Sequence, residues 1–179
     1  MLVALVAAVL SANDTSRIAR RAETPTVVSS PVTGVHSRVV ADSIVVQKSR
    51  HTLTLYSWGH PVRTYLVALG TNPVGDKIRQ GDGRTPEGLF HIDARNPESR
   101  YYKALHISYP DAAHIRAAKA RGVLAGGDIM IHGLPPKFAY VGAAHRDYDW
   151  TEGCIALTDQ EIDELWQEVP DGTPIDIKP

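Results

Sequence analysis

The chain has 179 residues and a nearly balanced charge, 19 Lys+Arg against 20 Asp+Glu, a length that suits one domain with a real core. Hydrophobic residues at 43% and charged residues at 22% exclude global disorder, and without a basic run the chain does not read as a nucleic-acid binder. Its single cysteine excludes an internal disulfide framework, a cysteine zinc cluster and a two-cysteine redox motif.

Leu2 to Leu10 is an unbroken apolar stretch followed by Ser11-Ala12. It is too short to cross a hydrocarbon core of about 30 Å as a helix. It matches the apolar part of a secretory signal with a small-residue cleavage site, although no positive charge precedes it. Residues 1–12 are therefore expected to direct export to the periplasm or cell envelope. Residues 13–42, rich in Ser, Thr, Pro, Val and Arg without a period, are expected to be a spacer. The folded domain is expected over 43–179, with no membrane span in the mature chain.

From Ser43 the pattern is that of strands. Ile44 to Gln47 is β-branched, and Thr52 to Tyr56 alternates with Leu53 and Leu55 inward. After a turn at Trp58-Gly59-His60-Pro61, Val62 to Leu69 puts Tyr65, Val67 and Leu69 on one face, completing an antiparallel meander. Gly70 to Gly88 is a long segment of Gly, Pro, Asp and Arg, the kind of loop that is functional or mobile. Strand character resumes at Leu89 to Ile92, Leu105 to Tyr109 and Asp128 to His132, with a helix expected over Pro110 to Arg121. Residues 133–150 are irregular. Thr158-Asp159-Gln160-Glu161 is a capping box, and Ile162, Leu165, Trp166 and Val169 behind it form one apolar stripe. Thr173 to Lys178 closes the domain as a strand. The sum is a mainly β domain with two short helices.

Cys154 lies in Thr151-Glu152-Gly153-Cys154-Ile155-Ala156-Leu157. A lone cysteine is usually a small buried hydrophobe. Here it follows a glycine at a loop-to-strand junction, where a side chain and backbone amides face a cleft together. A thiol with pKa about 8.5 is mostly protonated at neutral pH, so a nucleophilic role needs a base. Eight histidines compete. His36 is in the spacer, His51 and His60 are in turns, His91 and His106 on strands, His114 on the helix and His145 in the irregular segment. His132 ends a short apolar strand before Gly133, which puts an imidazole at a strand edge and ranks it first without closing the choice.

Tyr65-Leu66-Val67-Ala68-Leu69-Gly70, Gly81-Asp82-Gly83-Arg84-Thr85-Pro86-Glu87-Gly88, His132-Gly133 and Thr151-Glu152-Gly153-Cys154 follow one another in an order that resembles the YkuD-type L,D-transpeptidase catalytic domain. The resemblance runs from about Ser43 to Ile177. It implies a β-sandwich-like catalytic fold and a cysteine enzyme acting on peptidoglycan stem peptides without metal or other cofactor. It also implies Cys154 as nucleophile, His132 as general base, the Gly133 carbonyl as the group that holds the imidazole, and amides at Gly153 and Cys154 as the oxyanion hole. The donor would be a tetrapeptide stem cut at its diaminopimelate–D-Ala bond, and the acceptor an amine of another stem or of a wall-linked lipoprotein.

Two positions depart from the family pattern. Glu152 stands where many members have His, and is expected to point to solvent or to pair with a cation such as Arg146. Ala156 stands where many have Arg or Asn, so Arg84 and Lys77 in the long loop become the candidate substrate cations. Residues 133–150 are expected to form a lid, with Tyr140, Tyr148 and Trp150 lining a groove and Thr151 beside it. Three readings stand at this point: a transpeptidase, a hydrolytic variant (L,D-carboxypeptidase or amidase on wall-linked peptides), and a wall-binding module without catalysis. A papain-like hydrolase would need a helix starting at the cysteine, whereas Ile155-Ala156-Leu157 reads as a strand.

Overall fold

A computed structural model describes residues 39–179. The expected export segment 1–12 and most of the expected spacer lie outside the described residues. Of the spacer's last residues, Ala41 is buried in the core, and its amide donates to the Glu168 carbonyl at 2.8 Å.

Ten regular elements follow: β1 (Ser43–Gln47), β2 (Thr52–Ser57), β3 (His60–Leu66), β4 (Gly88–Ser99), β5 (Tyr102–Ile107), α1 (Ala112–Ala120), β6 (Met130–His132), β7 (Ile155–Ala156), α2 (Asp159–Glu168) and β8 (Pro174–Lys178). The strands run in the order β3-β2-β1-β8-β4-β5-β6-β7. The meander β1-β2-β3 is antiparallel as its alternation predicts, and β8 inserts parallel to β1. Strand β4 is the hinge of the architecture. Its first half pairs with β8, its second half with β5, and the register shifts between Ile92 and Ala94 where it passes from one sheet to the other. Two sheets sharing one long strand can face each other across a core, which is the sandwich-like arrangement.

The far edges are also tied together. Ala68 exchanges both backbone hydrogen bonds with Ala156, at 3.1 and 2.9 Å, and Thr151 is bonded to Leu69 and Thr71. The chain leaving β3 is thereby stitched to the strand carrying the cysteine. Period-two alternation buries Ile44, Val46, Leu53, Leu55, Ile175 and Ile177 from one sheet against Leu105, Ile107, Ile131 and Ile155 from the other. The stripe Ile162, Leu165 and Val169 of α2 completes the core, and the Thr158–Glu161 capping box is fully formed.

Two expectations change. Strand β4 extends seven residues beyond Ile92, because Asp93 to Ser99 pair as a projecting hairpin that is polar on both faces and leaves no alternation to read. Residues 133–150 are not featureless: Pro136–Asp147 winds as successive 3₁₀ turns broken at Gly142, whose φ of 53° lies in the left-handed region.

Candidate active site

The parallel ladder of β6 and β7 pairs Ile131 with Ile155 and His132 with Ala156. Side chains two apart on a strand share a face, so residue 154 projects from the same face as His132. Both side chains line one cavity of about 1280 Å³. The Cys154 thiol donates to the Asp128 carbonyl at 3.5 Å. Burial pushes this thiol up, the Met130 amide and the positive charge of Lys77 oppose that, and Asp128 adds to it.

His132 is 2% exposed, and its Nδ1 lies 2.7 Å from the Gly133 carbonyl. A carbonyl can only accept, so Nδ1 carries the proton and the Nε2 lone pair is left free. The ring is held on two sides. Tyr101 stacks on it with centroids 4.3 Å apart and planes 29° apart, and Trp150 meets it edge-on at 5.7 Å. Burial depresses this imidazole to about 4, the Gly133 bond opposes the shift, and His145 reinforces it. The resting pair is therefore a neutral thiol and a neutral imidazole.

Gly133 is packed where no side chain fits easily. A Cβ there would stand 2.6 Å from Asp159 Oδ1 and 3.1 Å from the Tyr101 carbonyl. The turn into Cys154 is equally constrained. Gly153 has φ +126°, and a Cβ on it would stand 2.5 Å from the Arg84 carbonyl. Thr151, 4% exposed, pins the turn from inside: its hydroxyl donates to the Cys154 carbonyl at 2.7 Å and accepts from the Gly153 amide at 3.1 Å.

That geometry corrects two expected roles. The Gly153 amide is committed to Thr151 and is not a free oxyanion donor, which leaves the Cys154 amide beside the thiol. Thr151 is a buried brace for the turn, not a residue on the substrate groove.

The other expected substrate residues separate. Lys77 is on the cavity wall and 5% exposed, with Nζ 2.8 Å from Asp82. Asp82 also accepts from the amides of Ile78, Arg79 and Arg84. Burial pushes the Asp82 carboxyl up, but Lys77 and these amides outweigh it and hold the group at about 2. Arg84 turns away, donating to the Asp76 carbonyl at 3.1 Å and lining a separate small hollow. Tyr140, 85% exposed, and Tyr148 are not on the cavity, and Trp150 shields the imidazole instead of lining a groove. Segment 133–150 therefore does not cover the cleft. Its walls come from α1 and residues 122–128, including Ile115, Lys119 and Leu124, and from Arg100 and Tyr101 at the β4–β5 turn. Glu152 is exposed on the cavity, while Arg146 pairs with Glu161 instead. Among the described residues no group of three or more His, Cys, Asp or Glu side chains is gathered as a metal ion would require.

The sequence profile of the YkuD family, described as the L,D-transpeptidase catalytic domain, matches residues 41–177. The chain belongs to this family. It is 33% identical over 132 residues to a protein of Escherichia coli K12 named "Putative L,D-transpeptidase YafK", covering 70% of this chain and 46% of that one. The chain thus spans about half the length of that curated relative. Among solved structures it is similar to the helical cell shape determining protein Pgp2 of Campylobacter jejuni, with TM-score 0.61 and 27% identity over 76% of this chain and 47% of that one. The fold is also that of an L,D-transpeptidase from Mycobacterium smegmatis, with TM-score 0.52 and 18% identity, covering 78% of this chain and 59% of that one. Family membership makes peptidoglycan the substrate class to examine. No helix among the described residues is long and apolar enough to cross a membrane.

Proposed function

We propose that this domain is a cysteine acyltransferase of the cell envelope, an L,D-transpeptidase that takes its acyl group from a peptidoglycan tetrapeptide stem. The observation that carries the reading is the shared face of β6 and β7. A thiol and a buried imidazole open into one cavity, and the imidazole is fixed by the Gly133 carbonyl with its Nε2 free.

In the first half-reaction Cys154 Sγ attacks the carbonyl carbon at the L-centre of diaminopimelate, and His132 Nε2 takes the thiol proton. The Cys154 amide faces the developing oxyanion. The C–N bond to D-Ala breaks, the leaving amine receives the proton from His132, and a thioester remains. In the second half an amine attacks the thioester, His132 takes its proton, the C–S bond breaks and the thiolate is reprotonated. The energy of the bond broken is kept in the thioester, so no nucleotide is consumed. The cavity is larger than the ~300–1,000 Å³ typical of single-ligand pockets and has room for donor and acceptor peptides together. With a wall-derived substrate, the reaction belongs in the cell envelope.

Water as acceptor is a second reading, carried by Glu152. This exposed carboxylate lines the same cavity as the thiol, makes no ion pair among the described residues, and can accept a hydrogen bond from a water that attacks the thioester. In the transfer reading the amine belongs to another stem or to a wall-linked lipoprotein. Incubation with defined muropeptides separates these products by mass. Tetrapeptide stems should leave an acyl adduct on Cys154. Cys154→Ser should abolish the adduct, and His132→Ala should slow its formation by about 10²–10⁴-fold. Crosslinked dimers identify an amine acceptor and trimmed tripeptides identify water. Absence of any adduct or released D-Ala with folded wild-type protein overturns the proposal.

A further inference from the structure

Tyr101 is a residue that the sequence does not single out and that family motifs at the cysteine and histidine do not contain. It sits at the tip of the β4–β5 hairpin, where Ser99 pairs with Tyr102, and its amide donates to Ser99 Oγ at 3.1 Å. The hairpin is braced against α2: Lys103 reaches Asp163 at 2.6 Å, and the Tyr102 hydroxyl donates to the same carboxylate at 3.0 Å. Strand β5 pairs with β6 through Ala104 and His132, so the tip folds back over the end of the strand that carries the imidazole.

We propose that Tyr101 is a positioning residue for His132, a flat wall that clamps the imidazole against Trp150 and keeps Nε2 directed at the Cys154 side of the cavity. The proposal rests on the reading of His132 as the base. Two separate features of the geometry support it. The rings of Tyr101 and His132 lie face to face at 4.3 Å, while Trp150 closes the imidazole edge at 5.7 Å and stands 6.1 Å from Tyr101. The Tyr101 carbonyl also comes within 3.1 Å of where a Gly133 Cβ would be. The missing side chain of the His-Gly pair is what allows the hairpin tip to approach closely enough to stack.

The clamp has a chemical consequence. A single bond from Nδ1 to Gly133 leaves the imidazole free to swing about that contact, and flat walls remove this freedom before substrate arrives. The same walls keep water from the ring, which favours its neutral, proton-accepting form. The ionisable groups near the ring are the Cys154 thiol, the Tyr101 phenol, His145 and, from α2, the Asp159 carboxylate beside Gly133, with Arg100, Lys77, Lys119, Asp128 and Glu152 on the shared cavity.

Tyr101→Leu removes the aromatic face, and Tyr101→Phe keeps it while deleting the hydroxyl. The readouts are the pH dependence of Cys154 acylation by a tetrapeptide stem, and the His132 titration by NMR of labelled imidazole in the resting protein. Tyr101→Leu should slow acylation about tenfold or more and raise the acid limb and the His132 titration by about one pH unit. Tyr101→Phe should stay within about threefold of wild type and leave the titration in place. Tyr101→Met replaces the Leu variant if that one does not fold. An unmoved titration in the non-aromatic variant overturns the proposal, and so does a Phe variant as impaired as Leu, which would mean that the phenol itself meets substrate. If wild type fails to acylate, the proposed function falls, while the NMR titration still decides the clamp.

Discussion

Position 153 tolerates only glycine, for two reasons that act together. Its φ of +126° is one that L side chains rarely adopt, and an added Cβ would stand 2.5 Å from the rigid backbone carbonyl of Arg84. At position 133 the nearest obstacle to a Cβ is a side-chain oxygen of Asp159 at 2.6 Å, and the backbone there is not in the left-handed region, so crowding acts without backbone strain. Gly153→Ala should therefore cost about 2–4 kcal/mol in urea unfolding and remove most Cys154 acylation, since strain at such a position is about 1–3 kcal/mol before the clash is added. Gly133→Ala should cost less in stability. Equal losses for the two variants would contradict the assignment of backbone strain to Gly153. At this scale the sequence is legible where chemistry has a local pattern: Gly153-Cys154 and His132-Gly133 are neighbours in the chain as they are in the fold. Tyr101 is not legible, because its partner is reached through a hairpin and two strand pairings, and a tyrosine between Arg100 and Tyr102 carries no signal of its own. Thr151 reads as facing substrate, since nothing in sequence distinguishes a hydroxyl that braces a turn from one that meets a ligand.

Among the elements, the long loop between β3 and β4 looks from its composition like a mobile segment, yet it is anchored from beneath by a buried cation. Lys48 is 3% exposed, and its Nζ reaches the carbonyls of Gly75 at 2.6 Å and Thr85 at 2.9 Å and the Glu87 carboxylate at 2.9 Å. One ammonium thus uses its three donors to hold both halves of the loop, and the loop in turn carries Lys77 to the cavity and the Arg84 carbonyl to Gly153. Removing one partner of a buried pair leaves the other without compensation, at about 3–5 kcal/mol. Lys48→Met should lose about that much in thermal or urea unfolding and open residues 72–84 to limited proteolysis. The double variant Lys48→Met/Glu87→Met should recover part of the loss. A single variant with wild-type stability and protease resistance would show that the loop is held by its own Asp82 cluster alone. Nothing in the sequence marks Lys48 for this role, because lysine is almost never fully buried. The start of α2, by contrast, is legible to the residue, because a capping box and a 3.6-residue stripe are both local. The outer half of β4 is hidden from such a reading, since pairing with β5 stabilises it and not a buried face.

For the molecule as a whole, closure of the sheet traps two neutral imidazoles, which makes its stability depend on mild acid. Burial depresses His132 to about 4; burial does the same for His145, with the Arg146 charge assisting and Glu161 opposing. In the unfolded chain a histidine takes up its proton near pH 6.5. Between about pH 6.5 and 4 the unfolded state therefore binds more protons than the folded state, and stability falls as pH falls. Each ring can contribute roughly 3 kcal/mol to that loss by pH 4, since every tenfold difference in proton affinity between the two states is worth about 1.4 kcal/mol. The carboxylates act lower down. Asp82, held at about 2, and Glu161, held below its ordinary value by Thr158 and Arg146 against the opposing pull of burial, stabilise the fold above their unfolded pKa values and lose that contribution only as pH drops further. The upper part of the window, from about pH 6.5 to 5, is thus a histidine signal. Urea unfolding across that range should show stability declining with acid, and His145→Phe should flatten the slope by about one proton's worth while leaving the His132 share. The slope is diagnostic where the absolute stability is not, because an apolar ring also removes the buried His145 Nε2 that has no hydrogen-bond partner. If the variant keeps the full wild-type slope, His145 is not the neutral buried ring that the packing around Trp150 requires.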